Sequence, residues 1–523
     1  MKRGMTYCMR LASGLLALSA GAARVYPVPE DAERSDDFRM TVDGAPAPLY
    51  QTRVSADPIN WRWPGHQRPL YQTELASFAL LESEGASRIS IKPKRAFTNV
   101  VVRPLSANVR PVVDGGEISF TLPKPGAYTV ELDGLARALH LFCSTPLKER
   151  PDTGDVRTRY FGPGVHDAGL IELKRGETLF IDEGAVVYGR VQAKDADNIR
   201  IIGRGVLDAS RVKAEPKPIS PELAAEQKRK GFAITNVHRY DAMRFEYCDN
   251  LLIDGITIND SPLYNIRPIA CSNVTIKNVK IIGCWRYNSD GIDMHNCTGV
   301  RISDCFLRTY DDSICVKGFD YTMDESNMLH GRRLHDVFKD TVIERCVIWN
   351  DWGKCLEIGY ETQAKEISGI VFRDCDLVHV SDIGISICNG DQAHVRDIRY
   401  ENIRIEYTGS ERMPRLQKEE GEVYKNPAPA GWLPSALSVR IAYSPEYSKG
   451  KDCRGIIDGI TFDNIAITAP VMPGVWVAGY DQAHKSRTVS FRGVTLAGRP
   501  VRTAAELNLG TNAFTEAITV NGK

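Results

Sequence analysis

The sequence predicts an all-β chain: a right-handed parallel β-helix preceded by a small β-sandwich. Three observations carry this. A nine-residue phrase, such as Asn273-Val274-Thr275-Ile276-Lys277-Asn278-Val279-Lys280-Ile281, recurs nine times between Asn198 and Leu496. Uninterrupted copies start 23 to 29 residues apart, and each holds apolar-x-apolar strands with no regular helix between them. A period in the twenties marks a solenoid whose coils bury their apolar faces only by stacking. Third, strands with strict period-two alternation fill the chain before the repeats, for example Glu117-Ile118-Ser119-Phe120-Thr121-Leu122, as expected of a sandwich. Leucine-rich repeats share the period, but their leucine phrase and asparagine ladder are missing.

The order along the chain follows. Lys2, Arg3 and Arg10 precede a short apolar run and Ala20-Gly21-Ala22, so residues 1–23 read as a signal peptide. Residues 24–147 form the sandwich. Residues 148–157, with Pro151 and Gly154, are a linker. Residues 158–510 are the β-helix and 511–523 a C-terminal tail. Insertions interrupt the coils around 221–229, read as a short helix, and at 319–339 and 408–434. Insertions of this kind usually shape a binding face.

Composition narrows the function classes. With 66 basic and 66 acidic residues the net charge is zero, which argues against nucleic acid or an anionic membrane as partner. The 13 cysteines show no CxxC spacing, so a zinc site is not expected. Cys271, Cys297, Cys305, Cys346 and Cys375 fall at matching places in the repeat and read as stacked, buried thiols. Free thiols suit a reducing compartment and the leader suits export. Both a secreted or periplasmic and a cytoplasmic location therefore stay open, as does the oligomeric state.

The chemistry concentrates between Asn288 and Lys317. Asp290 and Asp311 are 21 residues apart, about one coil, which places them side by side on adjacent turns; Asp312 and Asp293 add two more acids. Crowded carboxylates repel, which moves their pKa values apart as acid–base catalysis needs. Lys317 and Lys354 are placed to orient hydroxyls or tune these acids. Trp352 offers an aromatic face for stacking on a ligand ring, and Glu357 a carboxylate for a ligand hydroxyl. No metal, nucleotide or other cofactor motif is present.

Asn288-Ser289-Asp290 followed by Asp311-Asp312 resembles the Asn-Thr-Asp and Asp-Asp motifs of family 28 glycoside hydrolases, the polygalacturonase family. The stretch from Ser261 through Arg267 to Pro268 is similar to the same clan's pattern. A β-sandwich before the helix resembles the domain order of family 49, which includes dextranase and isopullulanase. The resemblance implies a pectin-lyase-like solenoid and inverting hydrolysis of a poly- or oligosaccharide. It gives Asp311 as the acid and Asp290 and Asp312 as holders of the attacking water; Asn288, Asp293 and Arg267, in the same stretches, are candidate substrate-binding residues. Two departures point away from classical polygalacturonate specificity. Lys354 stands where the family has His in Gly-His-Gly, and Gly384-Ile385-Ser386-Ile387-Cys388 lacks the family's Arg-x-Lys. A polysaccharide lyase and a non-catalytic glycan-binding β-helix are the alternatives.

Overall fold

The computed structural model describes residues 23–61, 68–216, 220–222, 224–225, 237–319, 335–409, 411–417, 429 and 431–522. The expected signal peptide, most of the helix expected at 221–229 and much of the two later insertions lie outside the described residues.

Each copy of the nine-residue phrase folds as strand, corner, strand. Its first and sixth residues take left-handed backbone: Asn273 and Asn278 at φ 53° and 52°, Asp397 and Asn402 at 54° and 56°, Gly459 and Asn464 at 67° and 56°. Asn, Asp and Gly recur there because a short polar side chain or none tolerates positive φ. The sixth residue turns the chain from one side of the coil to the next.

Stacking these units gives three parallel columns. The first is a 12-stranded parallel sheet running from Thr158–Phe161 to Thr515–Val520. The other two columns share a 21-stranded sheet. One contains Lys280–Ile282, Phe306–Tyr310, Val347–Trp352 and Asp376–His379; the other contains Ile292–His295, Ile314–Gly318, Lys354–Thr362, Ile383–Asn389, Ser435–Ile441 and Val475–Ala478. Parallel crossovers are right-handed for steric reasons.

The interior is apolar and laddered. Phe372, Tyr400, Phe462 and Phe491 stack ring on ring at 4.7, 5.0 and 4.9 Å. The cysteines behave as small hydrophobes: the 12 described are free thiols, 11 of them buried. Cys248, Cys271 and Cys297 each donate Sγ–H at 3.4 Å to the carbonyl two residues back, a thiol ladder on three successive coils.

The segment 511–523, expected as a tail, is instead structural. Thr515–Val520 pairs in parallel with Ser486–Arg492 as the final rung of the first column. The β-helix therefore runs past residue 510. Alternating apolar residues too few to show a further repeat hid this rung.

The N-terminal strands form one continuous ten-stranded sheet folded over a shared core of Phe38, Met40, Ile89, Phe120, Tyr128, Val130 and Leu141. Its outer face packs on the second column through Tyr50, Phe78, Phe142, Ile282 and Phe306. Arg103 bridges Glu131 at 3.0 Å and also reaches Glu406 across this interface, where His379 meets Glu131. No described helix is long and apolar enough to cross a membrane.

Candidate functional site

The site lies at the corner where the second column turns into the third. The strand Phe306–Tyr310 ends, Asp311 and Asp312 form the corner, and Ile314–Gly318 begins. One coil earlier, Asp290 occupies the same corner before Ile292–His295, with Gly291 N–H donating to the Asp312 carbonyl at 2.9 Å. Carboxylate oxygens of Asp290, Asp311 and Asp312 lie within 4.8 Å of one another. The coil spacing expected from the sequence thus brings the three together. This oxygen cluster is also the place in the site where a divalent cation could bind.

Backbone anchors hold the cluster. Asn265 donates its main-chain N–H and its side-chain Nδ2 to the Asp290 carbonyl at 2.9 and 2.7 Å. Asp311 sits at φ 133°, a region that a non-glycine residue occupies only when its surroundings impose it. Asn350 Nδ2 at 2.8 Å and Thr309 Oγ1 at 2.9 Å impose it by donating to the Asp311 carbonyl. The Asp312 carboxylate accepts the Lys354 N–H at 3.0 Å, with the Lys354 ammonium 3.8 Å away. Tyr310, immediately before the pair, is pinned from the N-terminal domain: its hydroxyl donates to the Ile59 carbonyl and the Arg68 guanidinium lies 4.0 Å over its ring.

Gly353 lies against both acids. A Cβ there would stand 2.7 Å from Asp312 Oδ1 and 2.9 Å from Asp311 Oδ1, at φ 80°. We expect Gly353→Ala to fold, as judged by circular dichroism, but to lose about 10²-fold in kcat by displacing the carboxylates. Undiminished turnover would show that their placement is not needed.

Charge below the cluster is balanced by one buried lysine. Lys317 Nζ is 3.3 Å from Asp293, 3.6 Å from Glu361 and 4.0 Å from Asp290. Burial opposes the charge of this ammonium, yet Asp293 and Glu361 hold its pKa well above the ordinary value. Burial likewise pushes against Asp293, but Lys317 and His295 outweigh it and keep that carboxyl well below the usual range. Asp290 is driven the other way, well above the usual range, by burial and then by the charges of Asp311 and Asp293. Burial and the neighbouring Asp312 raise Asp311 to about 7. Burial also raises Glu357 to about 7, against the pull of Lys354.

The other expected residues divide. Asn288 joins the site, its Nδ2 3.5 Å from Asp311 Oδ2, and Lys354 and Glu357 stand on the following coil. Trp352 is half-buried, stacked 6.1 Å from Tyr310. Arg267 is turned aside: 4 % exposed, it is committed to Asp241 through Nε at 2.9 Å and Nη2 at 2.6 Å. Two contributors escaped the sequence reading. Arg239 donates to Asn288 Oδ1 at 2.8 Å and to the Tyr287 carbonyl at 2.6 Å, and Asn350 clamps Asp311. Neither belongs to the repeated phrase or to the acidic motif, so nothing in the sequence marked them.

Residues 190–410 match the family model described as glycosyl hydrolases family 28. The matched span contains all three aspartates. A probable polygalacturonase from Vitis vinifera is 30 % identical over 158 residues, 29 % of this chain and 30 % of its own length. A polygalacturonase from Gossypium barbadense is 39 % identical over 173 residues, 32 % of this chain and 38 % of its own. The chain thus spans about a third of the length of these relatives. Among solved structures, Dex49A from Penicillium minioluteum aligns with a TM-score of 0.58 at 12 % identity, covering 94 % of this chain and 96 % of that one. That likeness takes in both domains and concerns the fold. The family resemblance and the family-49-like domain order expected from the sequence both stand.

Proposed function

We propose that this chain is a glycoside hydrolase that cleaves O-glycosidic bonds in a poly- or oligosaccharide, with inversion at the anomeric carbon. The observation that carries the reading is the convergence of Asp290, Asp311 and Asp312 from adjacent coils to within 4.8 Å. Asp311, held near 7, keeps a proton to donate to the leaving oxygen in neutral solution. Two oxygens so spaced bracket one water within hydrogen-bond reach of both, and Asp290 and Asp312 take that role. Asn288 orients the acid and Lys354 meets sugar hydroxyls; Glu357, expected to do so from the sequence, is buried and instead supports the Lys354 charge. The N-terminal leader pattern supports action outside the cell.

One distance favours a second reading. Inverting pairs usually stand about 6.5–9.5 Å apart and retaining pairs about 5–5.5 Å. The trio is closer to the retaining value, in which case a carboxylate attacks the sugar directly. A third carboxylate placed to share a water supports inversion. The test is a screen of neutral and acidic glycans with the first-formed anomer read by NMR. The opposite anomer at the cleaved carbon is expected; the same anomer overturns inversion, and no cleavage of any glycan overturns the hydrolase. A uronate substrate is the less supported class, because Gly384–Cys388 carries no cation; the exposed Arg440, on the next coil of this column, has its Nε 3.3 Å from Cys388 Sγ.

The acid sets the pH profile. Asp311 must be protonated to act, so kcat falls as pH rises through about 7. Lys354 opposes the upward shift of Asp311, so Lys354→Met should move this alkaline limb to higher pH. A limb that stays in place or moves down would remove Asp311 as its source.

A further inference from the structure

We propose that Trp476 is a sugar-stacking platform four coils beyond the acids on the third column, so that the substrate is a chain spanning several subsites rather than a disaccharide-sized molecule. This rests on the hydrolase reading above. In the third column the register pairs Asp293 with Cys315, then Glu357, Ser386, Ser438, Trp476 and Gly510 on successive coils. Their sequence neighbours Ile292, Ile314, Leu356, Ile385, Leu437 and Val475 all belong to the apolar core. Because side chains alternate along a strand, the row that includes Glu357 and Trp476 points away from the apolar core; its members from Asp293 to Ser438 are buried and Trp476 is exposed.

Two small buried residues, Ser386 and Ser438, lie between Glu357 and Trp476 in this row. From the acidic corner to Trp476 is four coils, roughly 19 Å at the ~4.8 Å strand spacing. Trp476 is 55 % exposed, although tryptophan normally buries most of its surface. The indole lies flat on the next coil: a Cβ on Gly510 would come within 2.3 Å of its six-membered ring. Gly510 has ordinary negative φ, so its backbone does not require glycine; the ring above it does. Two more exposed aromatics, Tyr447 and Tyr480, sit on the loops that follow strands of this column, and Tyr447 packs 5.6 Å from Tyr360 beside Glu361. A flat exposed ring in register with the coil of the acids matches the apolar face of a pyranose ring in a chain long enough to reach it.

The experiment measures binding of size-fractionated oligosaccharides from dextran and from polygalacturonate to the Asp311→Asn protein, and KM for the parent polymers with the active enzyme. Affinity should step up at the length that reaches Trp476. Trp476→Ala should abolish that step and raise polymer KM about tenfold. Gly510→Ala, which keeps the indole but lifts it, should do the same, and Trp476→Phe should restore part of the step. Cleavage with an unchanged length dependence in Trp476→Ala overturns the platform and leaves the hydrolase standing. A lost step without cleavage by the wild type overturns the hydrolase and keeps the platform. Absence of both overturns both, and self-association that disappears in Trp476→Ala would assign this face to a second copy of the chain and overturn the proposal.

Discussion

Asp311→Asn is expected to lower kcat by about 10²–10⁴-fold and, at pH 8, to make the protein harder to unfold. The two effects have one cause. Burial and the Asp312 charge raise the folded-state pKa of Asp311 to about 7, whereas an unfolded chain leaves an aspartate near 3.9. The folded state therefore binds this proton more tightly. Its contribution to stability is full below the unfolded value and is lost as pH rises through about 7. Asparagine is a neutral mimic of the protonated acid and does not suffer that loss. At pH 4 or below the variant and the wild type should unfold together. At pH 8 the variant should be more stable by an amount on the order of 2 kcal/mol, kept small because Asp311 is partly exposed to solvent screening. Denaturant midpoints at the two pH values decide it. A variant less stable at pH 8 would mean that Asp311 is held as a paired carboxylate, and the assignment of the acid would fall with it.

This trade of stability for a protonated carboxyl bears on what could be read from the sequence. Asp290 and Asp311 were legible as neighbours because the β-helix converts one coil of sequence into one strand spacing, so the period alone gave their proximity. The corner residues were legible for a local reason: positive φ selects Asn, Asp and Gly at fixed places in each copy. Arg267 shows where such reasoning stops. It lies in a motif-like stretch one coil before Asp293, yet its guanidinium is taken by Asp241, which sits outside the repeat and is fixed only by packing. Asn350 and Arg239 reach the acids through the corner's three-dimensional course, with no periodic signal. The rung Thr515–Val520 carries little signal in the sequence because a solenoid is recognised by recurrence, and this segment matches the repeated phrase over few residues. Cooperative features of sequence repeat; the contacts that tune a site do not.

Lys317→Met is expected to give the largest loss of stability, about 3–5 kcal/mol, because it leaves a buried charge without its partner. Asp293 is fully buried, and Lys317 Nζ at 3.3 Å is the ammonium that offsets its desolvation. In the wild type the Asp293 pKa is depressed, so its stabilisation is present above the unfolded value and is lost only as pH falls through the lower folded value. Without the lysine, burial dominates and the same carboxyl moves upward, so in the variant stability is lost as pH rises. The gap between wild type and variant should therefore be widest at neutral pH and narrow toward pH 4. His295, 3.7 Å from Asp293, does not compensate near neutrality, since burial holds its own pKa to about 4. Adding Asp293→Asn to Lys317→Met should recover most of the stability, because the charge that was stranded is gone. It should not recover turnover, since Lys317 also faces Asp290 and Glu361 directly under the reacting acids. Equal destabilisation at pH 4 and pH 7, with no recovery in the double variant, would mean that Lys317 contributes packing rather than charge.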